Sequence, residues 1–194
     1  MVTGADGLIG QKLCEFLRLN KFFFNRTSRR KGLGPEFIYF DLMDEKSWSN
    51  IPDDLFCVYF LAAITATDLC ENSYELAYKV NVEQSERFID FLKSRSQKII
   101  LPSTNMVFDG VLPYPSLKQE QNPMNKYGLL KALLEKKVAN NDKVTIVRLT
   151  KLSDTLLPLL KSWAKRIACD ETIYPFTDMY CSPLDLHEVV KIMF

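Results

Sequence analysis

The stretch Val2–Gly10, which reads VTGADGLIG, decides the fold that we predict for this chain. It places three glycines at intervals of three residues, between a short apolar start and a helical pattern. In such a turn Gly4 permits a tight exit from a strand, Gly7 leaves room for a phosphate, and Gly10 lets the next helix pack closely. That helix offers unpaired N–H groups to the anion. The stretch predicts a dinucleotide-binding turn, although alone it would also suit a glycine-rich surface turn that binds nothing.

Composition narrows the class of protein. The 194 residues are 47% hydrophobic and 25% charged, which suits one domain with a full core, alone or with a small appendage. A net charge of +1 favours neither nucleic acid nor a membrane surface, and no apolar run approaches the roughly 20 residues of a membrane span. The five scattered cysteines and the single His187 predict a reduced, cytoplasmic protein without a metal site.

Hydrophobic periodicity predicts strands that alternate with helices along the first 150 residues. The predicted strands after the first are Phe22–Phe24, Phe37–Phe40, Phe56–Leu61, Lys98–Leu101 and Val144–Leu149. The predicted helices are Leu8–Leu19, Asp44–Asn50, Tyr74–Ser94 and Asn122–Ala139. Apolar strands that alternate with helices indicate an α/β fold with a doubly wound parallel sheet of the Rossmann type.

The alternation loosens after Leu149. Residues 1–150 are therefore predicted to be the dinucleotide-binding domain, and residues 151–194 a small, abbreviated substrate lobe. In the lobe we expect a helix over Leu156–Ile167, a short strand over Thr172–Tyr174, and a last helix capped by Asp185.

The segment Asn25–Lys31 (NRTSRRK) contains several cations and no acid. In a dinucleotide fold the end of the second strand meets the adenosine ribose. An acid there would bind the 2′-hydroxyl of NAD, whereas cations suit the 2′-phosphate of NADP. The composition therefore favours NADP, with Arg26 or Arg29 against the phosphate. NAD stays possible, since a solvated basic loop would look the same.

Tyr127 and Lys131 lie four residues apart on a predicted helix, which puts both side chains on one face. A free tyrosine titrates near ~10, and a close ammonium lowers that pKa. Ser103-Thr104 closes the fifth strand, where a hydroxyl could hold a substrate carbonyl against the tyrosine. Singly, these residues would suit a surface pair and a turn. Their order along the chain favours hydride chemistry, in which the cofactor gives a hydride and the tyrosine a proton.

The chain resembles the extended short-chain dehydrogenase/reductases, and within them the dTDP-4-dehydrorhamnose reductases. The likeness to the larger family rests on TGADGLIG at 3–10, LAA at 61–63, VNV at 80–82, and Tyr127 with Lys131. The likeness to the subgroup rests on STNMVFDG at 103–110, PMNKYG at 123–128, Arg148 and Ser182-Pro183.

The resemblance implies an NAD(P)H-dependent reductase of a nucleotide-linked 4-keto-sugar. Such an enzyme would act in the biosynthesis of a deoxysugar for a surface polysaccharide. It implies that Thr104, Tyr127 and Lys131 are catalytic, and that Lys131 also holds the nicotinamide ribose. The residues expected at the cofactor are Gly4, Asp6, Gly7, Leu8, Ile9, Gly10, Arg26, Asp41, Leu42, Ala62, Ala63, Tyr127 and Lys131. Among them Asp41 and Leu42 are expected near the adenine.

The chain departs from the subgroup at two positions beside the threonine. Asn105 and Met106 stand where the subgroup usually has aspartate and tyrosine. Sugar dehydratases of the superfamily need an acid there, and an amide cannot ionise, which argues against dehydratase activity. Two alternatives stay open: a cofactor-binding regulatory subunit of another enzyme, and an epimerase that retains its cofactor. Relatives are often dimers, so a homodimer is a further expectation.

Overall fold

The computed structural model describes residues 1–175, 177 and 180–194. The chain forms two compact units, Met1–Arg148 and Leu149–Phe194. The strands are β1 Val2–Thr3, β2 Arg26–Ser28, β3 Phe37–Tyr39, β4 Leu55–Phe60, β5 Ser96–Thr104 and β6 Val144–Leu149. They form one parallel sheet in the order β3-β2-β1-β4-β5-β6. The predicted α/β fold with a doubly wound parallel sheet is confirmed.

The strand order reverses between β1 and β4. From β1 the chain adds β2 and β3 on one side, and it then returns to add β4, β5 and β6 on the other. In sheets of this kind ligands bind outside the carboxyl ends of the strands, at the point where the order reverses. The glycine turn follows β1 directly, so it lies at that point.

The helices of the first unit are α1 Leu8–Leu19, α2 Thr67–Asn72, α3 Tyr74–Tyr78, α4 Ser85–Leu92 and α5 Lys126–Val138. Two 3₁₀ segments, Glu45–Asn50 and Asn105–Val107, follow β3 and β5. A π-helical segment, Lys79–Gln84, joins α3 to α4. The helix predicted over Tyr74–Ser94 is therefore present but carries one wider turn. Among the residues described, no helix is both long and apolar enough to cross a membrane.

The core of the first unit is built around Phe88 on α4. Its ring centroid lies 4.6 Å from that of Phe40, 5.2 Å from Trp48 and 5.3 Å from Phe60. Phe88 and Ile99 are completely buried. Loss of a buried aromatic ring of this kind costs about 3–5 kcal/mol. The cluster packs α4 against β4 and β5, and so fixes the strand ends that carry the site.

The second strand is not where hydrophobicity placed it. Phe22–Phe24 is irregular chain and the Phe23 side chain is fully exposed, whereas β2 consists of Arg26–Ser28. Val2 pairs with Arg26 in the sheet, and the Val2 N–H donates to the Asn25 carbonyl over 2.9 Å. Phe22–Phe24 thus serves as the connection from α1 back to the sheet. The position of β2 is determined by backbone pairing with β1 rather than by apolar side chains.

Helix α5 also begins later than predicted. Its N-cap is Asn125, whose side-chain oxygen accepts the Gly128 N–H over 2.8 Å. The N–H of Asn122, the predicted cap, instead donates to the Val107 carbonyl over 3.0 Å. A third difference concerns β4. Its continuous apolar sequence predicts a strand that is buried on both faces of the sheet, but Phe56 near its start is 68% exposed.

The second unit contains α6 Ser153–Ala168 and α7 Leu186–Met193. Asp185 caps α7, since its carboxylate accepts the His187 N–H over 2.7 Å. The predicted strand Thr172–Tyr174 is irregular, and the bridge described in this unit joins Leu152 to Leu184. Its assignment to substrate binding stays a prediction.

Candidate functional site

The glycine turn has the geometry that a dinucleotide turn requires. Gly4 has a φ of +59°, a left-handed conformation that glycine adopts without strain. A Cβ at Gly10 would collide with the Gly4 carbonyl oxygen, so the helix reaches the turn only because this position lacks a side chain. Gly7 is the N-cap of α1, and within this described helix start neither a capping side chain nor a first-turn acid accepts from its N–H groups. These donors are therefore available to an anion.

Thr3 ties the turn to the neighbouring strand end. Its hydroxyl oxygen accepts the N–H of Leu61 over 3.0 Å and that of Ala62 over 3.2 Å. The Thr3 side chain is completely buried. The bond holds Ala62 beside Gly4, where a Cβ on Gly4 would stand 3.3 Å from the Ala62 nitrogen. Sequence analysis did not assign Thr3 a role, although it is a polar residue in an otherwise apolar strand.

Asn81, in the π-helical segment, fixes the loop that follows β4. Its amide donates to the Ile64 carbonyl over 2.7 Å and accepts the Ile64 N–H over 2.8 Å, and the side chain is 1% exposed. Single π turns inside α-helices often mark functional sites. Here the pair of bonds fixes Ile64, the residue directly after Ala62 and Ala63, which are expected along the cofactor.

Thr104 ends β5 at the carboxyl edge of the sheet. Its hydroxyl oxygen accepts the Met106 N–H over 3.2 Å as the cap of the short 3₁₀ segment, and the side chain is buried. An oxygen that accepts from the backbone still has its own proton to donate to a substrate. The hydroxyl oxygen of Ser103, next to it, is buried and has no hydrogen-bond partner among the described residues.

Lys131 on α5 reaches the same strand end. Its side chain is 7% exposed, and its ammonium donates to the Pro102 carbonyl over 2.8 Å. Burial lowers the pKa of Lys131 to about 8, and the Glu135 carboxylate partly opposes that shift. The ammonium therefore contacts β5 two residues before Thr104. This is expected if the side chains of Lys131 and Thr104 belong to one site.

Tyr127 lies in the first turn of α5, one turn before Lys131. It packs on the buried cluster that contains Cys70 and Leu130, and burial raises its pKa to about 12, with a smaller contribution from Cys70. The expectation that Lys131 lowers this pKa is wrong for the cofactor-free chain. Burial of the phenol raises this pKa, and the Lys131 ammonium is directed to a backbone carbonyl instead.

An acid one turn beyond Lys131 organises the surroundings of the site. Glu135 is 4% exposed and accepts from the Arg148 guanidinium over 3.1 Å (Nε) and 2.7 Å (Nη2). It also accepts from the Gln121 amide over 2.5 Å. The Arg148 guanidinium lies over the Phe108 ring, 5.1 Å from its centroid. The network ties α5 to β6 and to the loop before α5. Arg148 was among the residues that the sequence singled out and Glu135 was not, although Glu135 is a charge on a helix face that also carries leucines.

The basic segment runs across β2. Ser28 ends this strand, and the exposed Arg29 and Arg30 follow it. Arg26 lies at the start of the strand, with its guanidinium 4.9 Å from the Phe37 ring centroid. It lines a cavity of about 630 Å³ that also borders Asp6 and Arg30.

The other expected cofactor residues lie at or near the carboxyl edge of the sheet. Asp41 and Leu42 follow β3; the Asp41 carboxylate accepts the Met43 N–H over 2.9 Å, and Leu42 is buried. Leu8 and Ile9 start α1, with Leu8 half exposed. Within the part of the chain that the structure describes, no group of three His, Cys, Asp or Glu side chains could hold a metal.

The sequence of this chain is similar to those of members of a known protein family. A family model described as "RmlD substrate binding domain" matches residues 1–193. Methionine adenosyltransferase 2 subunit beta of Xenopus tropicalis is 26% identical over 170 residues, which are 82% of this chain and 51% of that protein. The chain thus spans about half the length of the curated relatives it matches.

Solved structures show the same fold. The crystal structure of a dTDP-4-dehydrorhamnose reductase from Clostridium acetobutylicum is 27% identical, with a TM-score of 0.72, over 98% of this chain and 67% of that one. The dTDP-4-dehydrorhamnose reductase of Bacillus anthracis in complex with NADP has a TM-score of 0.77 at 22% identity, over 98% and 67% of the two chains. At that identity the second likeness concerns the fold alone.

Proposed function

The chain belongs to the RmlD substrate binding domain family, and on that premise we propose that it is an NAD(P)H-dependent reductase of a nucleotide-linked 4-keto-sugar. The observation that carries the proposal is the bond from Lys131 to the Pro102 carbonyl over 2.8 Å. It brings a buried ammonium to the strand end that carries Thr104. A lysine is expensive to bury, and a perturbed lysine in such a place is typical of functional sites.

The residues of the glycine turn fit a dinucleotide. The left-handed Gly4, the close approach at Gly10 and the free N–H groups at the start of α1 form a cradle that a pyrophosphate would fill. Ala62 and Ala63 after β4 would border the same molecule without bulky side chains. A bound nicotinamide would supply the hydride for the reduction.

Tyr127 is the proposed proton donor. The phenol is protonated at neutral pH, since burial raises its pKa to about 12, and Lys131 and a bound substrate would have to lower that pKa for the phenol to give its proton to a developing alkoxide. Thr104 is proposed to donate a hydrogen bond to the same oxygen through its remaining hydroxyl proton. Lys131, charged below its pKa of about 8, would stabilise the phenolate that Tyr127 leaves behind and bind the ribose hydroxyls.

Loss of NADPH absorbance in the presence of a dTDP-linked 4-keto-sugar tests this function. We expect turnover by the native chain and a loss of about 10²- to 10⁴-fold in Tyr127→Phe, the usual contribution of a positioned proton donor. Tyr114→Phe is the matched control, because Tyr114 is 94% exposed and is not among the residues proposed at the site. Full turnover by Tyr127→Phe would remove Tyr127 from the mechanism.

A cofactor-binding subunit of another enzyme is the second candidate. The curated relatives are named as a subunit of methionine adenosyltransferase, and Asn105 and Met106 replace the usual aspartate and tyrosine beside Thr104. Tyr127 and Lys131 favour the reductase, because a binding subunit has no need of that pair. Cofactor binding without turnover, together with a co-purifying enzyme, would favour the subunit. Nicotinamide retained tightly through purification would favour an epimerase, the remaining alternative.

The proposal also includes a homodimer and a preference for NADP over NAD. The preference rests on the absence of an acid in Asn25–Lys31 and on the cations Arg29 and Arg30 directly after β2. Light scattering of the purified chain measures its oligomeric state. Binding titrations with NADP and with NAD measure the cofactor preference.

A further inference from the structure

An ion pair joins the two segments between which the adenosine ribose of a dinucleotide is expected. Asp6 lies in the glycine turn, and Arg30 lies two residues beyond the end of β2. The Arg30 Nε is 3.2 Å from the Asp6 Oδ2. The Asp6 side chain is 20% exposed and that of Arg30 is 70% exposed, so the carboxylate is held and the guanidinium is accessible.

Both partners are positioned by their own backbone. The Arg30 N–H donates to the hydroxyl oxygen of Ser28 over 3.0 Å, and Ser28 is buried. The carbonyl of Asp6 accepts from the Gln11 amide over 2.8 Å. The Ala5 N–H donates to the Thr27 carbonyl over 3.0 Å, which fixes the turn against β2. These backbone contacts therefore hold the two segments that carry the pair.

The other acid that borders the cavity has a partner of its own. Glu15, which borders the same cavity, pairs with Lys12 over 2.9 Å. The Arg26 guanidinium lies over the Phe37 ring. Over residues 1–175, 177 and 180–194, neither Arg26 nor Arg29 forms an ion pair with a carboxylate. Asp6 thus supplies, from another segment, the acid that Asn25–Lys31 lacks.

We propose that Asp6 determines which nicotinamide dinucleotide the chain prefers, by competing with a 2′-phosphate for Arg30. A 2′-phosphate needs the guanidinium as a charge-assisted donor, and the Asp6 carboxylate both pairs with its Nε and repels the phosphate. The 2′-hydroxyl of NAD brings no such charge and can donate to a carboxylate. Asp6 therefore reduces the preference for NADP that the arginines create. This inference rests on the proposed binding of a dinucleotide.

Binding of two cofactor fragments tests the competition without any turnover. The probes are ADP-ribose and 2′-phospho-ADP-ribose, which differ only in the phosphate, titrated by calorimetry into the full chain at fixed salt. Asp6→Asn is expected to tighten 2′-phospho-ADP-ribose by about fivefold, as for a partly exposed ion pair, and to change ADP-ribose by less than about twofold. Glu15→Gln removes another acid of the same cavity and should change neither fragment by more than about twofold.

Adding Arg30→Gln to Asp6→Asn should abolish the gain. Equal tightening of both fragments, a gain that survives the loss of Arg30, or an equal gain in Glu15→Gln would overturn the competition between Asp6 and the phosphate. A failure of dinucleotide binding, on which the proposed function also depends, is distinguishable, because the native chain would then bind neither fragment nor either dinucleotide. That result would overturn this inference as well, whereas intact binding with no effect of Asp6→Asn overturns this inference alone.

Discussion

The buried ammonium of Lys131 donates a hydrogen bond of 2.8 Å to the carbonyl oxygen of Pro102, two residues before the end of β5. One carbonyl is a weak partner for a cation that is almost completely removed from water. The site thus contains a charge that destabilises the folded chain and that the fold itself does not need. Such trade-offs between stability and function are typical of catalytic and binding sites.

Lys131→Met is therefore expected to stabilise the cofactor-free chain. The pKa of Lys131 is about 8 in the folded chain, below the ordinary 10.5 of a lysine. Below the folded value the penalty for the buried charge is complete. Between the two values only the unfolded chain binds the additional proton, so the stability of the native chain rises with pH there. At neutral pH we expect Lys131→Met to raise the free energy of unfolding by about 1–3 kcal/mol, with the gain fading as the pH approaches 10.5.

Urea denaturation at neutral pH and near pH ~10 measures both effects. Lys136→Met is the matched control, because Lys136 is an exposed lysine on the same helix. Its effect should stay within about 0.5 kcal/mol at either pH. An equal stability of native chain and Lys131→Met at neutral pH would contradict the burial penalty.

Tyr127 should remain a neutral phenol far into the alkaline range. Its pKa of about 12 means that the cofactor-free chain gains no phenolate from Tyr127 until the pH passes well beyond 10.0, the ordinary value. The phenolate absorbance of the native chain and of Tyr127→Phe should therefore rise together through that range. A step present only in the native chain, at or below the ordinary value, would show that the lysine outweighs burial after all.

Glu135→Gln is expected to destabilise the chain by about 2–4 kcal/mol. The substitution leaves the guanidinium of Arg148, only 23% exposed, without its carboxylate, and removal of one member of a buried pair costs about 3–5 kcal/mol before allowance for this exposure. The lost charge should also lower the pKa of Lys131 further, since Glu135 raises it.

A double-mutant cycle separates the pair from its surroundings. Glu135→Gln with Arg148→Met should recover much of the lost stability, because the Arg148 guanidinium is no longer left without a carboxylate. Urea denaturation of the four chains gives the coupling free energy. Additive losses in the double variant would show that the two side chains act independently.

Local pattern was enough to predict the elements that depend on spacing. Gly4 and Gly10 follow from intervals of three, and Tyr127 with Lys131 from an interval of four. Backbone pairing is not encoded in that way. Phe22–Phe24 is more apolar than Arg26–Ser28, yet the polar segment forms the strand because it pairs with both β1 and β3.

The electrostatics of the site likewise depended on distant segments. The Lys131 ammonium meets a carbonyl 29 residues away, and the Arg148 guanidinium meets a carboxylate 13 residues away. The pKa of Tyr127 depends on burial, which an interval between two residues does not report. Asp6 and Arg30 come together only through the contact of the glycine turn with β2.

Gly7 and Gly10 look alike in the sequence but should differ in their effects when each is replaced by alanine. A Cβ at Gly7 would stand 3.2 Å from the Gly4 carbonyl oxygen, and the φ of Gly7 is −79°, which any residue adopts. Gly7→Ala should therefore fold with a loss of about 1 kcal/mol or less, yet its methyl group would enter the space for the pyrophosphate. We expect dinucleotide binding to weaken by about tenfold or more, measured by calorimetry.

Gly10→Ala should act on the fold instead. Its Cβ would collide with the Gly4 carbonyl oxygen and approach the Ala5 Cα to 2.8 Å, so α1 has to move away from the turn. Such overpacking typically costs about 1–3 kcal/mol. Thermal unfolding followed by circular dichroism should show a lower midpoint for Gly10→Ala than for Gly7→Ala. Native stability in Gly10→Ala would mean that α1 does not rely on this close approach, and native cofactor affinity in Gly7→Ala would mean that the phosphate lies elsewhere.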